Sequence, residues 1–199
     1  MNPAEHRHPS RPTARGDQDP RQDPRLRVVP FGERGSNGCD YYIYADVLAE
    51  LAKAARFRDQ AAVALLTGSL QMGGDGIFVE ITGFGELQYL YGEDLLEVTA
   101  AALVQGEDPQ GEVVGAFVSP HGTDGLLTEE LVRLHLSLFN LPHQVLLVVD
   151  PTSEIFGLYG RESSGRMENF GFSLIRTREI GGDDEFVKNS EMTAEEERE

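Results

Sequence analysis

The segment Gly111 to Pro151, GEVVGAFVSPHGTDGLLTEELVRLHLSLFNLPHQVLLVVDP, reads as strand, loop, helix, strand. Val113, Val114, Ala116, Phe117 and Val118 form an apolar run of strand length. The loop Ser119-Pro120-His121-Gly122-Thr123-Asp124-Gly125 is dense in turn formers. Thr128 is placed to cap a helix, with Glu129 and Glu130 in the first turn, where the helix dipole favours negative charge. Leu131, Leu134, His135, Leu138 and Phe139 share one helical face, and Asn140 and Pro142 stop the helix. Val145-Leu146-Leu147-Val148-Val149 is apolar at consecutive positions, which predicts a strand buried on both faces. Asp150-Pro151 ends it. A helix between two apolar strands puts the chain in the α/β class.

Towards the N-terminus, DLLEVTAAALVQ (94–105) predicts an amphipathic helix with Leu95, Leu96, Thr99, Ala102 and Leu103 inward. Residues 61–70 and 77–84 read as antiparallel strands joined by the turn Met72-Gly73-Gly74-Asp75-Gly76. A leading helix is expected over 41–56, capped by Asp40, with Tyr44, Val47, Leu48, Leu51 and Ala55 on one face. RVVPF (27–31) reads as a short strand. Residues 1–27 carry almost no large apolar side chain, so this segment is expected to be a disordered arm, and His6 and His8 in it are expected to be simply solvated. Towards the C-terminus, EIFGLY (154–159) and NFGFSLIR (169–176) read as two strands around a turn at 162–165. Residues 181–199 hold eight acids against Lys188 and Arg198 and are expected to be a solvated, disordered tail. The expected organisation is an arm over 1–27, one domain over 28–180 and a tail over 181–199.

Composition narrows the function classes. A formal net charge of -17 argues against nucleic acid and against anionic membranes as ligands, since both need clustered Lys and Arg. No apolar run reaches the ~20 residues that cross a bilayer. The N-terminus has no apolar signal-like region. A single cysteine, Cys39, allows no internal disulfide, has no basic neighbour to activate it, and fits a reducing cytoplasm.

The central segment resembles that of the MPN (JAB/JAMM) domain family, which runs VVGW(Y/F)HSHP, a loop, LSxxD in a helix, then a strand ending in DP. Val113-Val114-Gly115-Ala116-Phe117, Leu127-Thr128 and Val148-Val149-Asp150-Pro151 carry the resemblance. It implies an MPN-type, cytidine deaminase-like fold: a mixed, largely antiparallel sheet flanked by helices, with disordered termini. Active members hold a zinc ion with two histidines of HSHP and the aspartate of LSxxD, and a glutamate from an earlier strand acts on the bound water. In this chain the histidine positions fall on Val118 and Pro120, and the aspartate position on Leu131. The serine position is Thr128, and the glutamate position, set by Ala64-Leu65-Leu66-Thr67-Gly68, is Ala61. Sliding the register by one residue recovers a single ligand, His121.

What the resemblance implies is a non-catalytic member with no cofactor, serving as a scaffold that pairs with a protein partner or with its own copy. The candidate interface comprises Tyr41, Tyr42, Tyr44 and Leu48 on the leading helix, with Leu134 and Leu138 on the later one; a place in the core is the competing reading for the aromatics. Two alternatives stay open. One is a divergent metal-dependent isopeptidase or peptidase using His121 and acids that the sequence does not place; His121 and Asp124 share a loop and are metal-ligand candidates that need a third ligand from elsewhere. The other is a binder of a small apolar ligand or a peptide end in a cleft lined by Val118, Pro120 and Leu131. Ser119 beside His121 lacks the geometry of a Ser-His nucleophile. His135 is expected to be a satisfied, half-buried histidine, and His143 a turn residue.

Overall fold

A computed structural model of the chain describes residues 19–56, 61–90, 92–105, 111–120, 127–150 and 155–177. Strand β1 (Leu26–Phe31) and strand β2 (Cys39–Tyr44) lead into helix α1 (Ala45–Arg56). The long hairpin β3 (Ala62–Gly73) and β4 (Gly76–Leu87) follows, then α2 (Leu95–Gln105), β5 (Glu112–Ser119), α3 (Glu129–Leu138) and β6 (Val145–Asp150). The last three strands are β7 (Ile155–Arg161), β8 (Met167–Phe170) and β9 (Phe172–Thr177). All nine belong to one mixed sheet in the order β1-β9-β2-β4-β3-β5-β6-β7-β8. Five neighbouring pairs are antiparallel, whereas β2 runs parallel to both β4 and β9, and β5 parallel to β6. A mixed α/β sheet is therefore the architecture.

Strand alternation sends successive side chains to opposite faces, and both faces of the sheet centre are apolar. Ala62, Ala64 and Leu66 of β3 and Val145, Leu147 and Val149 of β6 join one core, with Val47, Leu51 and Ala55 of α1. Val63 and Leu65, with Leu146 and Val148, join a second core that takes Leu95 of α2 and Leu131 and Leu134 of α3. Helix α1 thus covers one face while α2 and α3 cover the other. The doubly buried strand expected at 145–149 is found as such.

The path of the chain also bends the sheet. Strand β8 is at one edge and β9 is next to the other edge, yet only Gly171 separates Phe170 from Phe172. Two consecutive Cα–Cα steps span less than about 8 Å. The sheet must therefore curl until its ends approach. Aromatic contacts span the gap: Phe156 of β7 lies 6.1 Å from Phe31 of β1 and 5.7 Å from Phe172 of β9, ring centre to ring centre. Tyr41 of β2 stacks on Phe170 of β8 at 5.7 Å. Gly171 backs onto Glu33, whose carbonyl accepts its N–H at 2.5 Å, leaving no room for a Cβ.

Three expectations are corrected. Tyr41–Tyr44 belong to a strand, and the helix starts at Ala45. The run CDYYIY is aromatic and β-branched, which suits a buried strand, and the helical spacing read through Tyr44 holds from Val47 onward. Residues 19–27 are folded: Pro20–Gln22 form a 3-10 turn, and Asp19, Pro20, Asp23 and Leu26 are buried. Carboxylates of Asp19 and Asp23, each capping the turn that follows it, order a stretch that composition alone assigns to the arm. The single strand expected over 169–176 is two strands broken at Gly171. The remainder of the arm, the tail over 181–199 and Pro151 lie outside the described residues.

Candidate functional site

The five positions singled out from sequence converge on the end of β5 and the start of α3. Val118 sits between Val63 of β3 and Val148 of β6 and is 2% exposed. Leu131, in the first turn of α3, is also 2% exposed and shares an apolar cluster with Val118, Leu134, Phe139 and Leu146. Pro120 is half-buried just past β5 and Ala61 half-buried just before β3. Thr128 caps α3, its hydroxyl accepting the Leu131 N–H at 3.3 Å. Two of these side chains are thus core packing and one is a cap, and none of the five carries a group that ligates zinc. His121 and Asp124 lie outside the described residues. Among the described residues, no group of three or more His, Cys, Asp or Glu side chains is placed to hold a metal ion.

The neighbouring polar residues hold the scaffold together. His135, expected half-buried, is fully buried; its Nε2 lies 3.0 Å from the Gln144 carbonyl, so that nitrogen carries the proton. Burial holds its pKa below the ordinary imidazole value, against the Gln144 hydrogen bond, and the Arg161 charge adds to the lowering. The Gln144 side chain in turn donates to the Val113 carbonyl at 3.1 Å, tying the start of β6 to β5. His143 lies 3.7 Å from the Glu112 carboxylate across the same seam. Ser119 is fully buried, and its hydroxyl has no hydrogen-bond partner among the described residues. Cys39 is buried, and burial pushes its thiol up to about 11, which leaves it protonated and unreactive at neutral pH.

The candidate interface residues divide. Tyr41, Tyr42 and Tyr44 are 1%, 1% and 4% exposed within the chain itself, so these aromatics are core and not a contact face. Leu134 is likewise fully buried, whereas Leu138 is half-buried at the end of α3. Leu48 lines a groove of about 280 Å³ between α1 and the strands β6, β7 and β9. Ala45, Ala49 and Ala52 form its helix wall, and Val149, Phe156 and Leu174 its sheet wall. Arg56, Asp150 and Arg176 stand on its rim. Neither this groove nor the larger one described next is lined by Val118, Pro120 or Leu131.

A second polar centre lies under the N-terminal turn. Asp19 is 3% exposed and accepts from the Tyr42 hydroxyl at 3.0 Å and from the Arg21 Nε at 3.0 Å. Arg21 also reaches Asp40 at 3.4 Å and Asp75 at 3.8 Å, and Arg34 binds Asp40 at 2.8 Å. Both arginines border a groove of about 600 Å³ whose apolar lining includes Leu26, Val28, Pro30 and Phe172. Beside Tyr42 in register, and opposite Ser69, stands Glu80, 3% exposed, with no hydrogen-bond partner for its Oε1 among the described residues. Burial first, then the charge of Asp19, raise its carboxyl to about 7. For Asp19 itself burial works upward, but hydrogen bonds from Arg21 and Tyr42 outweigh it and hold the group below the usual carboxylate value. In the mildly acidic range below about 7, Glu80 is therefore mostly protonated while Asp19 is ionised, and near neutrality Glu80 is partly ionised. Sequence reading missed this pair, although an acid amid the apolar run IFVEI (77–81) was a visible signal.

Among the described residues, no helix is long and apolar enough to cross a membrane. The chain matches no protein-family model and no curated protein. Among solved structures it is similar to the solution structure of protein DSY2949 from Desulfitobacterium hafniense, with a TM-score of 0.49 and 17% identity, over 70% of this chain and 95% of that one.

Proposed function

We propose that this chain is a non-catalytic MPN-like domain that works by binding a protein, either a second copy or a different subunit. The observation that carries the reading is the joint burial of Val118 and Leu131 in one apolar cluster, where the resemblance would require a histidine and an aspartate facing a zinc ion. Order of elements supports it too: a leading helix, an antiparallel pair, a strand, a capped helix, and a strand ending at Asp150. The contact face of this reading is the groove beside Leu48, because the tyrosines are sequestered while Phe156 and Ile155 next to it are 36% and 53% exposed.

Light scattering on the full chain, together with its zinc content, tests the proposal. A dimer or a stable complex that Leu48→Asp and Phe156→Asp dissolve without unfolding the chain supports it, with zinc well below one equivalent. One tightly held zinc per chain, or self-association indifferent to both substitutions in a chain that binds no other protein, refutes it.

A further inference from the structure

The buried carboxyl pair has no part in the proposed protein contact, and its geometry has a mechanical reading. The turn Pro20–Gln22 is seated on the sheet through Asp19, which is gripped from below by Tyr42 and flanked by Gly73, where a Cβ would lie 3.7 Å from the Asp19 Cβ. Glu80 is the register neighbour of Tyr42 on the adjoining strand, so it lies beneath the same turn. We propose that Glu80 is a proton-operated latch: protonated, it lets Asp19 and its turn seat on the sheet, and ionised, it drives the turn off and opens the groove that Arg21 borders.

The charges around the latch define its direction. From the turn come Asp19 and Arg21, from β2 Asp40 and Tyr42, and from the β3–β4 connection Asp75, with Arg34 bound to Asp40 on the far rim. On the β3 side Glu80 faces the neutral Ser69, which is bonded to Gln71. Arg21 is committed to three aspartates, so among the described residues it has no charge left over for a second buried anion beneath Asp19. With the turn seated, burial first and then the charge of Asp19 hold the Glu80 carboxyl above its ordinary value. Proton linkage then requires the seated form to lose ground as pH rises from the ordinary value of 4.5 towards about 7. Asp19 pulls the other way only in stronger acid, where protonation would cost it its donors. The turn is held best between those limits.

Hydrogen exchange on the full chain reads the latch directly. The amides of Gln22 and Asp23 donate to the Asp19 and Pro20 carbonyls within the turn, at 2.8 and 3.3 Å. After correction for intrinsic exchange, their opening constant should rise by up to about tenfold per pH unit between roughly pH 5 and 7. The amide of Gly165, in the turn after β7, serves as the control and should stay flat. Glu80→Gln, or Glu80→Met should the first not fold, should abolish the slope at Gln22 and Asp23. A flat wild-type profile, a slope that survives both substitutions, or the same slope at Gly165 would each overturn the proposal.

Discussion

Leu131→Asp is the substitution that puts the proposed reading at most risk, because it restores one ligand type of the resembled metal site inside what is otherwise apolar packing. Leu131 is 2% exposed, and its replacement removes nearly a whole leucine from the second core. Losing that side chain costs about 2–5 kcal/mol, cavity included. An aspartate there must also shed water; held neutral at pH 7 it costs about 1.4 kcal/mol for each unit its pKa is raised. Against this stands the favourable field at the start of α3, worth about 0.3–1 kcal/mol to an acid in the first turn. The loss wins by a wide margin. Staying neutral at pH 7 from an ordinary value of about 3.9 takes about 4 kcal/mol, so the net is about 5–9 kcal/mol, comparable with the whole stability of a marginal domain. Urea unfolding with and without one equivalent of zinc measures it. Because Val118 and Pro120 offer no partner ligand, zinc should leave the variant's midpoint unchanged. A variant as stable as the parent, or one whose urea midpoint zinc clearly raises, would refute the reasoning.

Other expectations are smaller and more local. Thr128→Ala removes the cap of α3 and should cost about 1 kcal/mol in denaturant unfolding, while Thr128→Ser should cost much less. Glu80→Gln should change the pH dependence of global stability. Because the folded carboxyl titrates near 7 and the unfolded one near 4.5, the protonated form's contribution is complete below about 4.5 and lost as pH climbs through about 7; the variant should therefore gain up to about 3 kcal/mol on the parent at pH 8 relative to pH 4. Equal differences at the two pH values would count against the burial of Glu80. Gly171→Val, which places a side chain against the Gly32 and Glu33 backbone, should lower the melting temperature by far more than the same change at Gly74, where a Cβ meets nothing within 4 Å.

Most of the regular structure was legible because local pattern and tertiary packing agree there. The hairpin β3–β4, the helix over Leu95–Gln105 and the strand–helix–strand of 112–150 each have an apolar period that matches the faces they bury. Reading failed where the period is ambiguous. Tyr44, Val47, Leu48, Leu51 and Ala55 fit a helix, yet the tyrosines ahead of Val47 are claimed by β4 and β9 on either side, and no local signal reveals those partners. The order of the strands was not legible either, since β9 enters between β1 and β2 from the far end of the chain. For the site, sequence placed Val118 and Leu131 in one neighbourhood and the structure does bring them together. It gave no hint that Asp19 comes near Glu80, because 61 positions separate the two and they are brought together only through Tyr42, which donates to Asp19 and stands beside Glu80 in the β2–β4 pairing.

The position of β9 has a consequence for how this protein is born. Among the described residues, β1 pairs with β9 alone, and β9 also covers one flank of β2. Until residues 172–177 leave the ribosome, the first strand has no partner and the flank of β2 stays an open edge, inviting contact with other nascent chains. The turn at Asp19, although made at the outset, gains its adjoining strand only when the last strand of the sheet slides into place. Non-local pairing of this kind slows folding, so maturation should end on a single late closing step, with a C-terminal truncation upsetting the N-terminus as much as the end it removes.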